Sequence, residues 1–126
     1  MKIETFVLRY LEAILFGELD DSEEGAPLDE NFTIFDFSED AREKARADCE
    51  EFLARASIRG INILSWDHDT AEQAAFDFYF SRQGHGTGFF DRPDLYGEDR
   101  QALQEIAKGM GEKFWYVSDD IKIEQD

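Results

Sequence analysis

The spacing of apolar residues near the N-terminus sets the first limit on the fold. Ile3, Phe6, Val7, Tyr10, Leu11, Ile14 and Leu15 recur three and four residues apart, the period of an α-helix with one buried face. Gly17 is placed to end it, because glycine readily takes the conformation found just past a helix. A second stripe, Ala45, Cys49, Phe52, Leu53 and Ala56, keeps the same period. Ser38 precedes it as a cap, and Glu39 and Asp40 fill the first turn, where the positive end of the helix dipole favours acids. This helix is expected to run to Ser57, with Gly60 as its exit. Two one-sided helices need a common core, and a chain of 126 residues is long enough to form one. A single domain over 1–126 is expected.

Between these helices the residues 18–31 read as a solvated acidic loop, with Glu18, Asp20, Asp21, Glu23, Glu24, Asp29 and Glu30 and no base. A loop of this length without structure is usually functional or mobile. The stretch 31–37 is open between an apolar anchor and a short strand, and Ile61 to Trp66 between a strand and a packed loop. Asp69-Thr70-Ala71-Glu72 carries a capping signal for a short helical turn. After it Phe76, Phe78 and Phe80 alternate with Asp77, Tyr79 and Ser81, the period of a half-buried strand. A glycine-rich reversal and Gly88-Phe89-Phe90-Asp91 would complete a β-hairpin, which Pro93 stops. Leu103, Ile106, Ala107 and Met110 mark a third helix from Gly97, with Gly109 and Gly111 at its end. Lys113 to Val117 reads as a strand, Asp119-Asp120 as a turn, and Ile121 to Glu124 as a final short strand. The expected class is α+β: two N-terminal helices, a β-hairpin, a third helix and a C-terminal strand, with a small antiparallel sheet packed on the helices.

Charge narrows the function. Thirty acids against 13 bases give a formal charge of −17, spread over both halves of the chain. Such a field repels nucleic acid and anionic membranes and attracts basic protein surfaces. Direct nucleic-acid binding and membrane association are therefore not expected. The N-terminal stripe is interrupted by Glu4, Arg9 and Glu12, unlike the apolar run of a signal peptide or membrane span. The lone Cys49 can form no internal disulfide and sits on a buried helical face, where a thiol acts as a small hydrophobe. A reducing cytoplasm fits this composition.

Several motifs are more specific. Asp48-Cys49-Glu50-Glu51-Phe52, the segment Ala75 to Arg92 with its Ser81-Arg82-Gln83-Gly84-His85-Gly86-Thr87-Gly88-Phe89-Phe90-Asp91-Arg92 run, and Tyr116-Val117-Ser118-Asp119-Asp120 together resemble a family of small acidic proteins encoded by bacteriophages, plasmids and other mobile elements. Members carry an aspartate-cysteine-then-aromatic helix, a GHGxGFWD-type motif and a late YVGDD. Gln83 stands where the family has Asn, Phe90 where it has Trp, and Ser118 where it has Gly. The resemblance implies a mobile-element origin and a role in the host cytoplasm. It implies no reaction, because the family is uncharacterised.

Two kinds of site compete. His85 between glycines could lie close to a ligand and exchange protons near neutral pH. Arg82, His85, Asp91 and Arg92 would form such a ligand site, the alternative being a reversal pinned by pairing of Arg82 or Arg92 with Asp91. The three glycines do not form a dinucleotide fingerprint, which lies between a strand and a helix. Asp67, His68, Asp69 and Glu72 could offer ligands to a metal, but their spacing fits helix capping better. No metal, cofactor or catalytic residue is assigned. The acids themselves carry the favoured reading: a non-enzymatic protein placing carboxylates where DNA phosphates would lie on a basic host protein. Asp20, Asp21, Glu23 and Glu24 in the loop, with Glu39, Asp40, Glu43 and Glu50 on the second helix, are its expected contact residues. An anti-CRISPR or antirestriction inhibitor is the concrete form, and the partner a basic, nucleic-acid-binding host protein.

Overall fold

In a computed structural model of the chain, residues 1–19 and 25–126 are described. Asp20, Asp21, Glu23 and Glu24 lie outside the described residues. Helix α1 (Ile3–Gly17) buries Phe6, Tyr10, Leu11, Ile14 and Leu15, the stripe read from its spacing. Helix α2 (Glu39–Ile58) is capped by Ser38, whose Oγ accepts from the Ala41 N–H at 3.0 Å. Its buried positions are Ala41, Ala45, Cys49, Phe52 and Ala56.

The expected hairpin is not formed. Helix α3 (His68–Gln83) runs through Phe76, Phe78 and Phe80, and its last turn leads into the glycine run. Asp67 caps it, accepting from the Thr70 N–H at 3.1 Å and from the Thr70 hydroxyl at 2.8 Å. The alternation misled because α3 is the central element: α1 packs on it, and so does the later helix α5 (Arg100–Met110). A helix enclosed on several sides shows no single apolar stripe. Ala71, Ala74, Ala75, Asp77, Phe78, Tyr79, Phe80, Ser81 and Arg82 are all buried.

The three glycines keep their expected conformational role on a different scaffold. Gly84 takes the left-handed cap of α3 at φ 69°, its N–H reaching the Phe80 carbonyl, and Gly86 and Gly88 follow at φ 78° and 148°. Positive φ at three alternate positions selects glycine. Thus the run turns a helix end, and no strand returns. Residues Phe89–Asp91 form a 3₁₀ turn, and Pro93–Tyr96 a single helical turn, α4.

The sheet is small and lies at the C-terminus. Strand β1 (Trp115–Val117) pairs antiparallel with β2 (Ile123–Gln125) in the register Trp115 to Gln125 and Val117 to Ile123. Phe37 is buried and adds a parallel bridge to Ile123, so the end of the 31–37 stretch both packs on the core and pairs with the sheet. It is preceded by 3₁₀ turns at Leu28–Glu30 and Ile34–Asp36. Within the expected acidic loop, Leu19 bridges Pro27 and Leu28 is buried. The segment 61–66 is a 3₁₀ turn at Ile63–Ser65, with Ile63 inside. The protein is α+β, mostly helical with one two-stranded antiparallel sheet. Among the described residues, no helix is long and apolar enough to cross a membrane.

Candidate functional site

The arrangement of charge begins with the arginines, because each of the eight is engaged within the chain. Arg9 pairs with Glu12 and Glu72, Arg46 with Glu50, Arg55 with Glu51 and Arg59 with Glu105. Arg42 donates to the carbonyls of Ile34 and Phe37. Arg100 lies over the Phe90 ring at 4.8 Å. The remaining two, Arg82 and Arg92, point inward.

Arg82 crosses the core. Its side chain is fully enclosed, and its Nη1 donates to Asp48 at 2.8 Å and to the Tyr10 hydroxyl at 2.9 Å. Its Nε donates to the Gly111 carbonyl at 2.9 Å, and its guanidinium lies 5.1 Å from the Phe78 ring centre. Pairing of this arginine with Asp91 does not occur. A buried charge persists only with such a full set of partners. Burial pushes the Tyr10 hydroxyl and the Cys49 thiol well up from their ordinary values, which fits the structural role expected of Cys49.

Arg92 likewise pairs with an aspartate other than Asp91. Its Nε donates to Asp77 at 2.8 Å, and the Tyr96 hydroxyl donates to the same oxygen at 2.7 Å. Asp77 is fully buried and also accepts from Gln73 at 3.2 Å. Burial raises its carboxyl above the ordinary carboxylate value, although the Tyr96, Arg92 and Gln73 hydrogen bonds pull the other way. The folded chain thus holds this proton more tightly than the unfolded chain, and Asp77 stabilises the fold less as pH rises from the ordinary value through the raised one. Asp77→Asn is expected to remove that part of the pH dependence, read from urea midpoints across pH 3 to 7 (roughly the carboxylate range). An unchanged profile would contradict the assignment.

His85 lies against Tyr79, ring centres 5.4 Å apart, with Nε2 at 3.3 Å from the Tyr79 hydroxyl and 3.7 Å from Glu18. The Tyr79 hydroxyl donates to Glu18. Gly17 makes this approach possible, since a Cβ there would overlap the Tyr79 ring. Glu18 thus serves as a fixed partner rather than as free loop charge. Burial and this neighbouring carboxylate both push the Tyr79 hydroxyl up.

The four residues of the candidate ligand site consequently occupy different places. Arg82 is in the core, Arg92 on Asp77, and His85 on Tyr79. Asp91 lines a depression of about 250 Å³ with Gly84, Gly86, Thr87 and Lys108. Arg82 contributes to the floor of a separate depression, beside Gly111 and Glu112. Among the described residues, Asp91 and Arg82 thus line separate depressions. At the other candidate position, Asp67 is a cap and His68 faces Glu72 at 3.3 Å. Among the described residues no group of three or more His, Cys, Asp or Glu side chains could hold a metal ion.

The acids expected on α2 are all exposed. Glu39, Glu43 and Glu50 share one stripe by their spacing, with Arg46 between them. Arg46 bonds Glu50 at 2.9 Å, and Lys44 bonds Asp40 at 3.1 Å. Two of the four acids are thus paired along the helix, and the stripe is less negative than its composition suggests. Further exposed acids, Asp91, Asp94 and Glu98, flank α4, and Asp119, Asp120 and Asp126 surround the sheet. Sequence reasoning missed Asp48, Glu18 and Asp77 as organising residues. Asp48 carried one usable signal, since it adjoins Cys49 at the edge of a buried stripe. Comparison with protein-family models, with curated proteins and with solved structures finds no match to this chain.

Proposed function

We propose that this is a non-enzymatic protein of a phage or other mobile element that binds and inhibits a basic, nucleic-acid-binding host protein, of the anti-CRISPR or antirestriction type, in the host cytoplasm. The mobile-element context rests on the sequence resemblance. The observation that carries the binding reading is the internal engagement of all eight arginines in a chain of charge −17. Every arginine is tied to neighbouring acids, carbonyls or rings, and Lys44 to Asp40, while many carboxylates face solvent. Such a surface steers a basic groove toward itself and accelerates association.

Binding to purified CRISPR surveillance complexes and restriction enzymes, followed across a salt series, tests this. At low salt at least one member of the panel is expected to bind, with affinity falling steeply as salt rises. Glu39→Lys, Glu43→Lys and Glu50→Lys together are expected to slow association by about tenfold or more. As an exposed position without an ion pair among the described residues, Glu43→Lys alone should change stability by less than about 1 kcal/mol. Absence of binding at low salt across a broad panel would remove the proposal.

A further inference from the structure

We infer that the groove between α1 and α3 is a docking site for a cationic amphipathic helix of a partner protein, an inference that rests on the acidic-binder reading and adds an apolar anchor to it. The groove has a volume of about 270 Å³ and is lined by Phe16, Phe76, Phe80, Asp69, Glu72 and Gln73. Its floor is ordered aromatic surface. Phe16 meets Phe80 edge-on at 6.2 Å between ring centres, and Phe76 lies 6.4 Å from Phe80. Phe16 nevertheless leaves 64% of its surface in contact with solvent. An open aromatic ring beside others is a binding feature more than a folding one.

The rim selects the occupant. Asp69 is exposed, and Glu72 is shared between Arg9 and His68. The nearby guanidinium of Arg9, held by Glu12 at 2.7 Å and Glu72 at 3.0 Å, offsets one of the carboxylates Glu12, Asp69 and Glu72, and the rim stays net negative. An apolar floor with carboxylates at its edge complements a helix bearing apolar anchors on one face and Lys or Arg beside them. A second copy of the chain would bring a charge of −17 against an equal charge, and an anionic membrane would be repelled in the same way.

The test uses the full chain and two fluorescent peptides of identical leucine and lysine composition, one patterned as an amphipathic helix and the other scrambled. The patterned peptide is expected to bind at least tenfold more tightly. Phe16→Ser is expected to abolish that preference without changing the urea midpoint by more than a small shift, and Asp69→Asn with Glu72→Gln to reduce the salt dependence. Equal binding of both peptides, or indifference to Phe16→Ser, overturns the groove and leaves the acidic reading standing. Failure of both peptides to bind at low salt also overturns the groove, and the acidic reading is then judged by the panel of host complexes alone. A dimer in light scattering that Phe16→Ser dissociates would make a second copy the occupant and overturn the inference.

Discussion

Arg82→Ala is expected to destabilise the protein by about 3 kcal/mol, the lower end of the cost of removing one partner of a buried ion pair. The lower end applies because Asp48 keeps 22% of its side chain exposed and water can partly solvate it after the change. The substitution also leaves the Gly111 carbonyl without its donor and the Tyr10 hydroxyl without its cation. A loss of this size is a large share of the roughly 5–15 kcal/mol that holds a domain together. It should appear as a lower urea midpoint at unchanged slope. Arg82→Lys retains the charge but cannot reach the acid, the hydroxyl and the carbonyl with one planar fork, so it should recover only part of the loss. A change below about 1 kcal/mol in Arg82→Ala would mean that the residue is not a keystone.

Phe52→Ala is expected to cost about 3–5 kcal/mol, the range for emptying a buried aromatic site. The Phe52 ring stacks on Phe78 at 4.3 Å between centres and lies 5.6 Å from Phe89 and 6.4 Å from Phe6. It therefore joins α2 to α1, α3 and the turn after the glycine run. Its loss opens a cavity among four elements, which cannot all close on it without moving apart elsewhere. Phe52→Leu fills part of that volume and should cost less. Thermal and urea unfolding of the three proteins measure the series, and near-wild-type stability for Phe52→Ala would contradict this packing.

Phe52 was legible in the sequence, and Arg82 was not. Helices α1 and α2 each present one face to the core, so residues such as Phe6, Tyr10, Cys49 and Phe52 repeat at a period that sequence alone reveals. The C-terminal strands were legible in outline on either side of Asp119-Asp120, but the second spans Ile123–Gln125 rather than Ile121 to Glu124, because Ile121 belongs to the turn at φ 59°. Helix α3 is enclosed by neighbours, and its enclosure erases the one-sided pattern. Phe76, Phe78 and Phe80 then imitate a strand, and Arg82 reads as a strand-end residue able to reach solvent. Its true partners, Asp48 and Tyr10, lie 34 and 72 residues away, beyond any local pattern. The glycines at 84, 86 and 88 disclosed their positive φ, but not which element they follow. On the functional side, composition revealed the acid excess and helical spacing offers the pairs Asp40–Lys44 and Arg46–Glu50, while the inward engagement of Arg42, Arg82 and Arg92 needed three dimensions.

An acidic inhibitor of the proposed kind would compete with nucleic acid for its partner's basic groove. Once a binding partner from the panel is in hand, the direct measurement is equilibrium binding at fixed low salt with increasing duplex DNA that carries the partner's own recognition site. Mutual exclusion is expected, with the apparent Kd rising in proportion to DNA concentration and no ternary complex. A ternary complex, with the Kd unchanged by saturating DNA, would contradict it.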